Sequence, residues 1–412
     1  MTVSGLDHVV DLSCVRCGEH CELRRDVPVC AACGGNLQLR YDHARAARVL
    51  TRETLARNPE RSIWRYAAML PLQDRLQGPP VGWTPLVEAP RLASELSLRR
   101  VQIKDDGKNP SASLKDRASA VALQRARETG HDLVVGASTG NAASSTATLA
   151  AVNGLRARIF IPAAAPRAKI AQLVAFGAEV IAVDGTYDQA FDLCLAACDR
   201  FGWYNRNTGF NPFTREGKKT VSYEIAEQRG WSVPDVVAVA VGDGNILSGV
   251  AKGFDDLRQL GLIERVPRLL AVQATGSAAI VDSFRSGQPL QPVSGQTVAD
   301  SISVSLPRDG EAAVQAIRDS QGLAITVDDE AILDAIPELA RGSGVFAEPA
   351  GATPWAGLKK AVAEGLISPD SEVVVLVTGS GLKDVNAVLG RMDELRAVSP
   401  DPARVEDLFR ND

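Results

Sequence analysis

The 412-residue chain is short of histidine: it has four, and His8, His20 and His43 fall within the first 43 residues, leaving only His131 beyond them. Acid and base chemistry later in the chain must therefore depend mostly on lysine, acidic side chains or tyrosine. The chain also lacks long apolar runs, since the stretches 236–241 and 373–377 are far too short to cross a bilayer. No basic segment followed by an apolar one opens the sequence. We expect a soluble, cytoplasmic protein.

An excess of positive charge is missing too. Lys plus Arg number 45 against 50 for Asp plus Glu, a net charge of -5, and no local basic patch stands out. This balance argues against nucleic acid and against an anionic membrane as partners. The 45% of hydrophobic residues and 23% of charged residues are typical of a globular protein, and the length suggests two or three domains.

Seven cysteines, an odd number, argue against a disulfide framework and for a reduced compartment. Four of them form two C-x-x-C pairs that are separated by twelve residues: Cys14, Cys17, Cys30 and Cys33. Paired turns of this kind supply the four thiolates of a closed, structural Zn²⁺ site. The alternatives are reduced thiols or a ribbon that has lost its metal, and His20 and Cys21 are candidate substitute ligands. We therefore predict an N-terminal zinc ribbon.

Apolar residues recur at helical spacing between 42 and 76, with a break at Asn58-Pro59, which predicts two helices. Beyond them, β-branched runs alternate with stretches of helical composition. We predict strands at Val101–Lys104, Leu133–Val135, Arg158–Ile161, Val180–Val183, Val236–Val241, Leu269–Gln273, Ile325–Val327 and Val373–Val377. The alternation predicts an α/β fold with two doubly covered, largely parallel sheets.

Four polar turns follow predicted strands, at 106–117, 136–142, 241–245 and 377–384. Ligands of open α/β sheets bind at such places, although each turn could also be a tight connection only. The first turn carries Lys115 at a predicted helix start, where a lysine opposes the helix dipole; a solvated surface lysine is the alternative. A reactive lysine, a phosphate cradle and a carboxylate cradle together predict a pyridoxal phosphate enzyme that acts on an amino acid.

Seven motifs occur in the order of a known family. They are GWTPL at 82–86, NPSASLKDR at 109–117, STGN at 138–141, NPFTREGKKT at 211–220, VGDGN with KGF at 241–254, EPAG at 348–351 and TGSGLKD at 378–384. The sequence between 82 and 384 resembles the threonine synthase family, in the tryptophan-synthase-β group (fold type II) of pyridoxal phosphate enzymes. The resemblance also implies a homodimer, and some relatives carry an N-terminal zinc ribbon.

The resemblance implies roles for particular residues. Lys115 would hold the cofactor covalently and serve as general base and acid. Asn141 would hydrogen-bond the ring hydroxyl, and Thr378 would face the pyridine nitrogen. The cofactor phosphate would lie on a turn made of Gly242, Asp243, Gly244 and Asn245. The amino-acid substrate would be bound by Ser111, Ser138, Thr139, Lys108, Thr208 and Arg215.

The implied reaction converts O-phosphohomoserine and water into threonine and phosphate by γ-elimination and β-addition. Arg215 is shifted by one position from the family pattern, and Asn245 and Ile246 stand where Gly and Asn are usual, so a paralogue is the alternative. It would carry out β-replacement or β-elimination on O-phosphoserine, serine or threonine, as in cysteate synthase or a dehydratase. A third hypothesis is that the ribbon binds nucleic acid or a partner and that the rest of the chain is catalytically inactive. The net charge and the intact Lys115 count against it.

These patterns divide the chain into five parts. We expect a zinc-ribbon-like unit at 1–40, N-terminal helices and the start of a large cofactor domain at 41–115, and a small mobile α/β domain at 116–210. The large domain resumes at 211–395, and a C-terminal tail follows at 396–412. The stretch 399–412 is charged and is expected to form a short helix or a frayed end.

Overall fold

The computed structural model describes residues 4–23, 29–165, 167–391 and 397–402. Its strands are β1 (Val9–Cys14), β2 (His20–Cys21), β3 (Leu37–Tyr41), β4 (Leu86–Glu88), β5 (Arg100–Asp105), β6 (Leu133–Ala137), β7 (Arg156–Pro162), β8 (Glu179–Val183), β9 (Tyr204–Asn205), β10 (Val236–Ala240), β11 (Arg268–Ala274), β12 (Leu323–Val327) and β13 (Glu372–Val377). All eight strands predicted from the sequence are present. The three strands before residue 42 and the short β4 and β9 were not predicted.

The α-helices are α1 (His43–Ala46), α2 (Arg52–Arg57), α3 (Pro90–Glu95), α4 (Lys115–Glu128), α5 (Asn141–Val152), α6 (Arg167–Ala175), α7 (Tyr187–Phe201), α8 (Phe213–Lys218), α9 (Thr220–Gln228), α10 (Asn245–Gln259), α11 (Ala279–Ser286), α12 (Gly310–Asp319), α13 (Asp329–Ser343), α14 (Pro349–Ala363) and α15 (Asn386–Leu389). Short 3-10 helices span Gly5–His8, Ile63–Met69, Asp106–Lys108, Thr275–Ser277, Asp300–Ile302 and Gly381–Lys383. Within the described residues, none of the helices is both long and apolar enough to cross a membrane.

The larger sheet has six strands in the order β12-β11-β10-β13-β5-β4, and only the edge strand β4 runs antiparallel to its neighbour. Every residue of β10 is buried, because its side chains alternate between two hydrophobic cores. Val237 and Val239 pack in the core that contains residues of α10 and α12, whereas Val236 and Ala238 pack in the core that contains α13 and α14. The predicted doubly covered, mostly parallel sheet is confirmed.

The smaller sheet has four parallel strands in the order β8-β7-β6-β9. Its two faces are also covered. Val135 and Phe160 face a core that contains residues of α7, and Ile159 and Ile161 face a core that contains residues of α5 and α6. Because the strands are parallel, all their carboxyl ends lie at one edge, and the polar turns that follow them meet there.

The N-terminal part differs from the prediction of two helices between 42 and 76. Before Asn58-Pro59 the chain forms two short helices, α1 and α2, because Thr51 caps a new helix through a reciprocal bond pair with Thr54. After the break, the chain forms the 3-10 helix Ile63–Met69 in place of an α-helix. Residues 4–41 contribute a small antiparallel sheet in the order β2-β1-β3. Of the predicted C-terminal helix or frayed end at 399–412, the part 403–412 lies outside the described residues.

A buried ion cluster fixes the start of α4, the helix that begins with Lys115. Arg117 donates from Nε to Asp106 Oδ2 at 2.7 Å and from Nη1 to Glu224 Oε1 at 2.5 Å, and Lys104 Nζ lies 2.7 Å from Glu224 Oε2. Burial alone would raise the pKa of Glu224, but Arg117 and Lys104 outweigh it and hold that pKa at about 2. The first turn of α4 is therefore tied to the 3-10 helix that follows β5 and to α9.

Candidate active site

A cavity of about 390 Å³ lies where strands of the two sheets end. Its walls come from the turns after β6, β10 and β13, together with the start of α4. Parallel strands from both sheets thus present their following turns to one space. Among the described residues that line it there is no histidine, in keeping with the sparse histidine of the sequence.

Lys115 is the first residue of α4 and lines the cavity. Burial lowers the pKa of its amine below the ordinary value and Arg206 lowers it further, while Asp243 and Glu348 act in the opposite direction. A lowered pKa increases the fraction of neutral amine at pH 7, and the neutral form is the nucleophile and the base. The site therefore contains a lysine that is suited to attack an aldehyde and to move protons.

The turn after β10 forms the first anion-binding element. Gly244 has φ of +92°, and a Cβ at this position would lie 2.7 Å from the backbone oxygen of Asp309, so this turn requires glycine. Asn245 then begins α10, whose free backbone N–H groups and dipole favour an anion. Asp309 fixes the start of α10 by accepting hydrogen bonds from Asn245 Nδ2 and Ser248 Oγ, both at 2.8 Å.

A second element lies at the start of α5, after β6. The hydroxyl of Ser138 accepts a bond from the backbone N–H of Gly140 at 3.1 Å and shapes this turn. Asn141 is buried and donates to Glu348 Oε1 at 2.7 Å. Burial raises the pKa of Glu348, against the opposing effects of Asn141 and nearby lysines. The turn combines hydroxyls with a helix N-terminus, an arrangement that can bind a carboxylate.

Two buried cations also line the cavity. Lys218 Nζ donates to Asn245 Oδ1 at 2.5 Å, and Arg206 Nη2 donates to Ser119 Oγ at 3.2 Å. Burial lowers the pKa of Arg206 to about 10, and its Nε has no hydrogen-bond partner. In the part of the chain that the structure describes, neither cation is ion-paired with a carboxylate. Unpaired buried cations are costly, so the cavity is built for anionic ligands.

The structure brings most of the predicted residues to this cavity. Its walls include Lys115, Asn141, Gly242, Asp243, Gly244, Asn245, Thr378, Ser138, Thr139 and Thr208. Three predicted substrate residues lie outside the lining. Ser111 bonds to Asp116 through both its N–H and its hydroxyl, Lys108 is exposed, and Arg215 is ion-paired with Asp309 at 2.6 Å.

Sequence reasoning did not assign Lys218, Arg206 or Glu348 to the site. Lys218 and Glu348 fall inside motifs that carry the family resemblance, 211–220 and 348–351, which was the available signal. Arg206 follows the two-residue strand β9 and belongs to no such motif. Only the three-dimensional structure shows that it reaches the cavity.

The four cysteines of the two C-x-x-C pairs come together at the tip of the N-terminal sheet. All their Sγ atoms lie within 4.8 Å of one another, and three of the separations are 3.5 Å (Cys14 to Cys33), 3.7 Å (Cys17 to Cys30) and 3.4 Å (Cys33 to Cys17). Tetrahedral Zn–S bonds of about 2.3 Å place sulfurs about 3.8 Å apart. The cluster thus has the dimensions of a four-sulfur metal site.

Comparison with known proteins identifies the cofactor. Residues 78–379 match the family described as pyridoxal-phosphate dependent enzyme. The chain belongs to this family. A pyridoxal-phosphate dependent enzyme needs an amine for the cofactor aldehyde and an anion site for its phosphate. The half-buried Lys115 and the start of α10 fit these two requirements.

Threonine synthases are among the sequence relatives of the chain. The chain is 36% identical over 386 residues to threonine synthase of Methanocaldococcus jannaschii, which covers 92% of this chain and 95% of the relative. It is 37% identical over 325 residues to threonine synthase of Mycobacterium tuberculosis, with 79% and 88% covered. The resemblance to threonine synthases that the motifs indicated is confirmed.

Solved structures of other enzymes share the fold. Threonine deaminase isoform 2 from Solanum lycopersicum superimposes with a TM-score of 0.65 at 24% identity, covering 74% of this chain and 86% of that one. Maize serine racemase gives a TM-score of 0.63 at 25% identity, covering 75% and 91%. The likeness confirms an α/β fold of the tryptophan-synthase-β type.

Proposed function

We propose that this pyridoxal-phosphate dependent enzyme is a threonine synthase, which converts O-phosphohomoserine and water into threonine and phosphate. The observation that carries the proposal is the 36% identity to a threonine synthase over 92% of the chain. The chemistry of the cavity supports the same function. For a substrate with a carboxylate and a phosphate it offers hydroxyls, helix N-termini and Arg206, which has no ion pair among the described residues.

When bound, pyridoxal phosphate supplies an electron sink for the negative charge that develops on substrate carbons. Asn141 and Thr378, which line the cavity, would orient the cofactor ring, and the turn 242–245 would hold its phosphate. We assign Ser138 and Thr139, which line the cavity just before α5, to the substrate carboxylate.

Lys115 moves the protons of the reaction. Threonine formation from O-phosphohomoserine requires proton removal at Cα and Cβ, loss of phosphate from Cγ, addition of water at Cβ, and reprotonation at Cγ and Cα. A lysine has a flexible four-carbon stem, and a lowered pKa lets it alternate between base and acid near neutral pH. Arg206 and Thr208 are the residues we assign to the substrate phosphate, since Arg215 is occupied by Asp309.

The test is a substrate screen on the purified, cofactor-loaded protein. We expect O-phosphohomoserine to give inorganic phosphate and threonine in equal amounts, measured by a phosphate assay and by amino-acid chromatography. O-phosphoserine, serine and threonine are the comparison substrates. Turnover of one of these without threonine formation from O-phosphohomoserine would reject the proposal in favour of β-replacement or β-elimination.

We also infer that the N-terminal cysteine cluster holds a structural zinc ion. Its four thiols form a closed set with no open position for a substrate. The unit touches the large domain through Arg16, which bonds Glu311 at 2.9 Å, and through Asn36, which bonds Asp309 Oδ1 at 2.9 Å. A reduced thiol cluster suits a cytoplasmic enzyme. The family resemblance supports a homodimer.

Replacing one ligand tests the metal assignment. Cys30→Ser is expected to lower bound zinc from one ion per chain to almost none and to lower the melting temperature, because three ligands no longer close the site. The visible absorbance of the bound cofactor should remain. Cys21→Ser, which changes a neighbouring thiol outside the cluster, should keep the zinc. Loss of the cofactor from folded Cys30→Ser protein would contradict a purely structural role.

A further inference from the structure

Two consecutive lysines at the end of α8 have opposite surroundings. Lys219 Nζ lies 2.6 Å from Glu216 Oε2 and 2.9 Å from Asp256 Oδ2, so its charge is neutralised within the protein. Lys218 is equally buried, at 1% exposure, yet it donates to the neutral Oδ1 of Asn245 and lines the cavity. Lys218 thus lies at the cavity wall without an ion-pair partner among the described residues.

The surroundings of Lys218 oppose its charge. Burial lowers the pKa of the Lys218 amine well below its ordinary value, and Lys115 and Arg206 lower it further. Asp309 and Asp243 oppose this effect, but neither forms an ion pair with Lys218, and the Asp309 carboxylate is already occupied by Arg215 and by the start of α10. An ammonium held in this way gains most from an anion that enters the cavity.

The position of Lys218 indicates which anion it would bind. Its partner Asn245 is the first residue of α10 and directly follows the turn 242–244. That turn also carries Asp243, a buried acid whose pKa burial raises and whose side chain accepts a bond from the backbone N–H of Arg308 at 3.1 Å. A carboxylate beside a phosphate site weakens it, so a cation at the same helix start offsets the repulsion.

We propose that Lys218 is a direct ligand of the cofactor phosphate, so that this enzyme holds the phosphate by a charged side chain as well as by backbone N–H groups. The inference rests on the cofactor, which family membership establishes, and not on the identity of the substrate. It assigns Lys218, the second lysine of the cavity, to binding of the cofactor phosphate, while Lys115 remains the residue that moves protons.

The test compares pyridoxal phosphate with pyridoxal, which lacks the phosphate. Full-length protein freed of cofactor is titrated with each compound, and binding is followed by the visible absorbance of the lysine-bound form. Lys218→Gln should weaken pyridoxal phosphate roughly 10- to 100-fold and change pyridoxal affinity less than about 2-fold, because a charged hydrogen bond to phosphate is lost. Lys252→Gln is the matched control, since this lysine lies on α10 but bonds Asp256 away from the cavity.

Each outcome bears on the proposal. Equal weakening of both compounds would show that Lys218 shapes the pocket and does not bind phosphate, which overturns it. Unchanged affinity for pyridoxal phosphate with weaker binding of O-phosphohomoserine would assign Lys218 to the substrate phosphate and also overturn it. Lys218→Met provides a second neutral side chain for this buried position, and thermal unfolding of both variants shows that they are folded. The titrations involve no turnover. The expected difference between pyridoxal phosphate and pyridoxal affinity would therefore appear even in a protein that does not make threonine.

Discussion

Lys115→Ala is expected to abolish both turnover and the visible absorbance of lysine-bound cofactor. Alanine offers no amine to the aldehyde and no group to carry protons between substrate carbons. No histidine is among the described residues that line the cavity, and its other lysine, Lys218, is bonded to Asn245, so we expect no other base to replace Lys115 fully. We expect threonine formation to fall by roughly 10³-fold or more. Absorbance spectra and product assays on the purified variant measure the two effects.

The control for Lys115→Ala is Lys218→Gln, which removes the other buried amine of the same cavity. At saturating pyridoxal phosphate, Lys218→Gln should still show the visible absorbance that Lys115→Ala lacks. The assignment would be wrong if Lys115→Ala kept the absorbance. Mass spectrometry after borohydride reduction would then identify the lysine that carries the cofactor.

Most of the fold could be predicted because buried parallel strands leave a strong local signal. The run 236–241 is apolar throughout, and the structure shows why, since both faces of β10 are covered. Strands β4 and β9 have three and two residues, too short for any pattern to show. The helices before Asn58 were misjudged because a capping pair at Thr51, and not apolar spacing, divides them.

The site could be predicted where it consists of turns after strands, as for Asn141 and the turn 242–245. It could not be predicted where a partner lies far along the chain. Arg215 was expected to bind substrate although it is shifted by one position from the family pattern. In the structure it pairs with Asp309, 94 residues away, whose carboxylate also bonds the start of α10. For Lys218 the structure adds a role that the sequence did not suggest. It becomes a candidate phosphate ligand only when its contact with Asn245 is seen.

The second large effect concerns Arg117, two residues after Lys115. Arg117→Met should lower the free energy of unfolding by about 3–5 kcal/mol, because it leaves Asp106 and Glu224 buried without their main cation. Methionine fills much of the arginine volume, so the loss is one of charge and hydrogen bonds. Urea unfolding followed by circular dichroism measures it. The control is Arg156→Met, whose exposed pair with Asp132 should contribute less than about 1 kcal/mol.

Acid unfolding gives an independent test of the same cluster. The pKa of Glu224 is held at about 2, below its ordinary value of 4.5, so its contribution to stability is complete above pH 4.5 and is lost as pH falls through 2. Without Arg117, burial raises this pKa, and Glu224 takes up a proton at higher pH. Arg117→Met should therefore unfold at a higher pH than the wild type, while Arg156→Met should not. Equal acid profiles for the two variants would show that the cluster does not secure the helix that carries Lys115.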